Sequence, residues 1–187
     1  MAMIRKEMTK DIAGREGLID RAFGEARFTK AAERLREGRL PAYGLSFVAA
    51  DKTRVVGTVR LWHVTAGPAR PALLLGPLAV DDAWRGLGIG AALMQRATEA
   101  ARQLGHKAVL LVGDPSYYAR FGFSAEKTGA LWMPGPYERE RLLALELVAG
   151  ALDGARGLSN ATGEKALVPD LATLIAGLAR ADAAHAA

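Results

Sequence analysis

The stretch Leu78-Ala79-Val80-Asp81-Asp82-Ala83-Trp84-Arg85-Gly86-Leu87-Gly88-Ile89-Gly90-Ala91 decides how this chain is read. An apolar strand ends at Val80, and a glycine-rich turn leads into Ile89 to Leu104. There Leu93, Ala97, Ala100, Ala101 and Leu104 recur at helical spacing, and Gly105 stops the helix. Successive glycines at a helix start let backbone N–H groups turn inward, while the helix dipole adds positive potential. The segment therefore makes a cradle for a diphosphate, with Arg85 at its rim for a charge-assisted contact. A turn whose glycines serve packing alone is the plainer alternative. Gly86, Gly88 and Ala91 also satisfy the G-x-G-x-x-G/A pattern of dinucleotide folds. That pattern needs its first glycine almost at the strand end of a βαβ unit, whereas here Asp81 to Trp84 intervene.

Outward from this segment, an extended start around Ile4 precedes a helix over Asp11 to Gly24, with Ile12, Leu18, Ile19, Ala22 and Phe23 on one face. A second helix is predicted over Thr29 to Glu37, with Thr29 as N-cap and Gly38 as stop. Leu45 to Ala50, Val55 to Thr65 and Ala72 to Val80 read as strands, and their short connections favour an antiparallel meander. After the glycine-led helix, Lys107 to Val112 is an apolar strand, and the strand-helix-strand order sets it parallel to the strand before the helix. A short helix around Ser116 to Arg120, a strand beginning near Phe121 and a last strand over Leu142 to Val148 complete an α/β domain over residues 1–149. From Gly150 to Gly163 the glycines read as a linker. Beyond it, Asp170 caps a helix with Leu171, Leu174, Ile175 and Leu178 on one face, so residues 150–187 are expected to be a linker and C-terminal extension.

With 187 residues, half of them hydrophobic, the chain can bury one substantial core. The N-terminus lacks a signal-peptide pattern, and the longest apolar stretch, Pro71 to Val80, falls far short of the roughly 20 residues of a membrane span. A cytoplasmic protein without a membrane partner is expected. The absence of cysteine excludes disulfides, thiolate metal sites and a cysteinyl acyl intermediate. His63, His106 and His185 show no metal-ligand spacing, so no metal is expected. The net charge of +5 is scattered among acidic neighbours, which argues against nucleic acid as partner.

At Arg85, Gly88 and Gly90 the chain meets the signature Arg or Gln, two residues, Gly, one residue, Gly or Ala, and so resembles the GNAT superfamily of N-acetyltransferases. The order of elements from Ile4 to Val148 is similar to that family too. A second segment, Gly113-Asp114-Pro115-Ser116-Tyr117-Tyr118-Ala119-Arg120-Phe121-Gly122-Phe123, resembles most the YhbS-like subgroup of predicted acetyltransferases. It departs from many relatives in having Asp114-Pro115 where an asparagine is common.

The resemblance implies a mixed, mostly antiparallel sheet flanked by helices and split beside the signature helix. It implies transfer of an acetyl group from acetyl-CoA to a primary amine by direct attack. The acceptor would be a small molecule or a protein, and a homodimer is an allowed assembly. Leu78, Ala79 and Val80 would pair their backbone with the pantetheine arm, with Pro77 interrupting the sheet where it opens. An N–H near Leu78 would polarise the thioester carbonyl. Arg85, Gly86, Leu87, Gly88, Ile89, Gly90 and Ala91 would hold the diphosphate. Tyr118, four residues before Gly122-Phe123, is similar to the tyrosine that protonates the leaving thiolate, while Tyr117 is expected to pack.

No Asp or Glu lies between Arg60 and Asp81, and His63 is a lone strand histidine, so a water chain or an already neutral amine is the expected proton outlet. Leu131-Trp132-Met133-Pro134 is expected to shape the acceptor pocket. Two other functions stay open on the sequence: a non-catalytic coenzyme A sensor, and an acyltransferase that takes its acyl group from acidic acyl carrier protein.

Overall fold

A computed structural model describes residues 2–167; the helix expected over Asp170 to Leu178 lies outside them. The elements are β1 (Met3–Lys6), α1 (Ile12–Phe23), α2 (Ala31–Arg34), β2 (Ser46–Asp51), β3 (Arg54–Ala66), β4 (Arg70–Leu75), β5 (Ala79–Val80) and α3 (Ile89–Gln103). There follow β6 (Ala108–Val112), α4 (Pro115–Tyr118), β7 (Leu131–Trp132), β8 (Leu142–Glu146), β9 (Gly157–Leu158) and β10 (Asn160–Ala161). The main sheet runs β1-β2-β3-β4-β6-β8, with β5 and β10 also paired to β3. Only β4 and β6 are parallel along this path, through Leu73↔Val109 and Leu74↔Leu110, as a crossover through α3 demands.

Strand alternation explains why the sheet is covered on both faces. Leu73 and Leu75, Val109 and Leu111, and Leu143 face one way, into a core with Phe47, Leu93, Met94 and Ala97 under α3. Their neighbours Ala72, Leu74, Ala108, Leu110, Leu142 and Ala144 face the other way, against Ala31, Leu35, Leu131, Met133, Leu152 and Ala155. The segment from Gly150 to Gly163, expected as a linker, is therefore part of the domain. It covers apolar strand residues that would otherwise meet water, and β10 adds to the edge of β3 at Val64 and Thr65.

Two further expectations are corrected. The second helix is short: Glu25–Thr29 is a 3-10 turn, Lys30 holds the N-cap position in extended conformation, and the Thr29 hydroxyl donates instead to the Ala26 carbonyl. No strand begins at Phe121. Ala119–Phe121 is a 3-10 turn, Gly122 takes a left-handed conformation (φ 85°) that turns Phe123 into the core, and only Ser124 bridges to Ala144 before the chain turns away.

A buried ionic cluster fixes α1 to the sheet. Glu7, with 8% of its side chain exposed, accepts from Arg60 Nε (3.0 Å) and Nη2 (2.5 Å) and also from Arg15 Nη1. Arg15 keeps a second partner in Glu16 at 2.6 Å, whereas Arg60 forms no other ion pair among the described residues. Glu7→Ala should therefore cost about 3 kcal/mol, the low end for breaking a buried pair. Urea denaturation would measure it, and a midpoint within error of wild type would remove the cluster from the account of stability.

Candidate active site

The strand that precedes α3 is broken where the sheet splits. Beyond Leu74 and Leu110 the parallel pairing stops, and Gly76 and Pro77 intervene before β5 resumes against β3 through Thr58↔Ala79 and Gly57↔Val80. Proline has no N–H to give a ladder, and the Gly76 carbonyl is already bonded by Trp62 Nε1 at 2.6 Å. Asp81 N–H donates to the Val56 carbonyl at 2.9 Å, which fixes the alternation. The backbone groups of Ala79 and Asp81 point to β3, and those of Leu78 and Val80 point away from it, into the split. Among the described residues the Leu78 N–H has no hydrogen-bond partner.

The turn into α3 has the conformation that the glycines allow. Gly86 and Gly88 both take φ 78°, and a Cβ on either would project into open space rather than protein. Gly88 is the N-cap and supplies no side-chain cap, while Ala92 N–H donates back to the Gly88 carbonyl at 2.9 Å. The N–H groups of the first turn are thus left as free donors on the positive end of a 15-residue helix. Before it, Asp81 caps the 3-10 turn Asp82–Trp84 by accepting from Ala83 N–H, and Arg54 at 2.7 Å holds its carboxyl below the usual carboxylate range. Arg85 is exposed and paired with Asp82 at 2.9 Å.

A groove of about 520 Å³ follows this segment, lined by Leu78, Ala79, Val80, Arg85, Gly86, Gly88, Ile89, Gly90 and Ala91. The structure thus brings together every cofactor-binding candidate except Leu87, which is exposed beside the groove and does not line it. Arg120, absent from the sequence expectations, also lines the groove, with its guanidinium 4.1 Å from the Tyr117 ring centroid. No motif marks it, because its place depends on how α4 docks.

A second cavity, about 570 Å³, opens on the other side of the split. α1 and α2 form one wall with Ile19, Phe23 and Arg36, and Pro136 to Glu138 form another. Leu131 to Pro134, expected there, does not reach it: Leu131 and Met133 are buried in the core, and Trp132 stacks on Arg139 at 4.0 Å. His63 does not line it either. Its ring lies 5.4 Å from that of His106, and its carbonyl accepts from Thr162 and Gly163. The carboxylates on this cavity are Glu33, Asp114 and Glu138, which pair with Arg36, Ser116 and Arg141. The Asp114-Pro115 departure has a local cause, since Asp114 accepts from Ser116 N–H and Oγ, both at 2.9 Å, and Pro115 fills the first helical position of α4.

Phe23, Leu78, Tyr117 and Tyr118 line both cavities. Tyr118 is held there by close packing. A Cβ on Gly113 would stand 2.1 Å from Tyr118 Cε2, and the Tyr117 ring meets the Tyr118 ring edge-on at 4.9 Å. The Tyr118 hydroxyl has no hydrogen-bond partner among the described residues. Burial, reinforced by Tyr117, pushes its pKa up to about 12.

Known proteins agree with this geometry. Residues 42–125 match the model of the acetyltransferase (GNAT) domain family. The chain is 31% identical to the uncharacterized N-acetyltransferase YhbS of Escherichia coli K12 over 157 residues, 83% of this chain and 93% of YhbS. It is also 31% identical to the uncharacterized N-acetyltransferase YjhQ of the same organism over 120 residues, 63% of this chain and 66% of YjhQ. The crystal structure of E. coli YhbS in complex with CoA superposes with a TM-score of 0.72, covering 86% of this chain and 89% of that one. A GNAT acetyltransferase from Brucella melitensis in complex with acetyl-CoA, 29% identical, gives 0.58 over 82% and 99%. With a split sheet, a glycine-led helix and YhbS matched over nearly its whole length, the chain belongs to the GNAT family of acyl-CoA-dependent N-acetyltransferases.

Proposed function

We propose that the protein transfers an acetyl group from acetyl-CoA to a primary amine by direct attack in a ternary complex. The observation that carries this reading is the shared wall. The groove at the α3 start and the cavity under α1 and α2 meet at Leu78, Tyr117 and Tyr118, so donor and acceptor would face each other across one gap. The first-turn N–H groups of α3 would hold the diphosphate, and the outward backbone groups of Leu78 and Val80 would pair with the pantetheine arm. When bound, the thioester supplies the activated acyl carbon.

The Leu78 N–H would donate to the carbonyl oxygen as negative charge grows on it. A C–N bond forms and the C–S bond breaks; nitrogen loses its proton to water, and sulfur gains one. With its pKa pushed up to about 12, the Tyr118 phenol is a weaker acid than a thiol, so complete proton transfer to the thiolate would be uphill. Tyr118 therefore acts chiefly as a hydrogen-bond donor to the developing thiolate, with the proton replaced from the nitrogen side through water.

Free-thiol release from acetyl-CoA across a panel of amines tests the proposal. Binding of acetyl-CoA without turnover on any amine would leave a coenzyme A sensor instead. The pH profile adds a sharper check. A raised pKa keeps the phenol protonated until pH approaches its folded value, so kcat/KM should rise as the amine deprotonates and then stay level to about pH 11. A falling limb below about pH 10 that disappears in Tyr118→Phe would contradict the buried donor.

A further inference from the structure

Arg36, in the turn after α2, lies on the wall of the acceptor cavity with 9% of its side chain exposed. A guanidinium has five N–H donors and no way to shed its charge at neutral pH. Among the described residues this one has a single partner: Nη2 donates to Glu33 Oε2 at 2.7 Å, Nε is buried without an acceptor, and Nη1 has none. Burial lowers the pKa of Arg36 while Glu33 opposes the shift, the balance of a charge removed from water and only partly compensated.

Its place relative to the reacting centre is fixed by one glycine. A Cβ built on Gly76 would stand 3.3 Å from Arg36 Nη1 and 3.9 Å from the backbone N of Leu78. The cation and the N–H assigned to the thioester oxygen thus lie near one another beside Gly76. One small molecule can therefore reach Arg36 with one group while its amine attacks beside Leu78. Two other cations on this cavity already face carboxylates: Arg27 pairs with Glu16 and Asp20 while its Nε is buried without an acceptor, and Arg141 faces Glu138. Lys30, at the rim, has no ion pair among the described residues.

Resting on the acyl-transfer reading above, we propose that the acceptor carries a carboxylate a few bonds from its amino group, as a free amino acid does, and that Arg36 binds it. A carboxylate fits because its two oxygens match the edge of a guanidinium. Nη1, with Lys30 at the rim, offers few donors for a doubly charged phosphate. Ile19, Phe23, Leu111 and Pro136 add apolar surface to the same cavity, which suits an apolar side chain.

The test sets each proteinogenic L-amino acid beside its carboxamide, with phosphoethanolamine and non-carboxylate amines as further acceptors, and reads thiol release from acetyl-CoA. Calorimetry of the CoA-loaded protein with the same compounds reads binding without turnover. For at least one amino acid, kcat/KM should exceed that of its carboxamide on the order of 10²-fold, since a buried donor left unmatched is strongly selective. Arg36→Lys should reduce that preference to below about tenfold through KM, and Arg36→Met should abolish it, with the KM for acetyl-CoA unchanged. A thermal melt checks that both variants fold, and calorimetric titration with CoA reports an intact donor groove. The inference is overturned if acids and carboxamides react and bind alike, if phosphoethanolamine outperforms every amino acid, or if the preference survives in Arg36→Met. Turnover of simple amines without binding of any amino acid would sink this inference alone. Loss of all turnover would sink the acyl-transfer reading, and the calorimetric pairs would still decide carboxylate recognition.

Discussion

Replacing Tyr118 with phenylalanine is expected to lower turnover on the order of 10²-fold while leaving the affinity for acetyl-CoA within a factor of about two. The ring stays, so the packing on Gly113 and the edge-on contact with Tyr117 survive, and the hydroxyl removed has no hydrogen-bond partner among the described residues. The loss therefore belongs to the transition state, where charge gathers on sulfur. Gly113→Ala should produce a similar fall by another route, because its new Cβ would overlap the Tyr118 ring and force it out of the gap. Tyr117→Phe is the comparison. A Cβ on Gly90 would come within 2.9 Å of the Tyr117 hydroxyl, so that oxygen lies at the α3 start, and any effect should appear in the KM for acetyl-CoA and not in kcat. Equal, small effects of Tyr118→Phe and Tyr117→Phe on kcat would mean that water alone meets the thiolate.

Gly88→Asp is expected to weaken acetyl-CoA binding on the order of 10³-fold or more. Two costs act together. Gly88 takes φ 78°, a conformation that L residues adopt with strain, and it lines the groove where the diphosphate would lie, so a side chain there would crowd that space. A carboxylate there also opposes the diphosphate at short range. The fold should persist, because nothing in the protein lies within 4 Å of the new Cβ. Calorimetric titration on protein with an intact thermal transition reads this directly. Affinity within tenfold of wild type would dissociate the α3 start from the diphosphate.

The parts of this arrangement that were legible beforehand are those written in short, contiguous stretches. The glycine turn, the strand before it, and Tyr118 at its spacing from Gly122-Phe123 each occupy one local segment, and local segments carry their own backbone rules. The chain around Phe121 misled because its apolar residues serve a tight turn that buries Phe123, and a strand period could not be told from such a turn over so few residues. Gly150 to Gly163 misled in the opposite direction. Its glycines mark turns in a segment whose Leu152 and Ala155 complete a core face, and that face is defined by strands far away in sequence. Arg36, Glu33, Arg120 and Tyr137 carried no signal, since each reaches its cavity only through the docking of a turn or short helix onto the sheet.

The proposed acceptor cavity takes two of its walls from stretches, Ile19 to Arg36 and Pro136 to Arg141, that contribute no strand to the main sheet, whereas the proposed donor groove is built on β5 and the start of α3. On that reading, recognition of what receives the acyl group is modular. Transplanting both stretches from a relative into this chain should redirect its choice of amine while the coenzyme end keeps its affinity. Transplanting either one alone should leave a mismatched half-pocket that accepts neither parent's amine well.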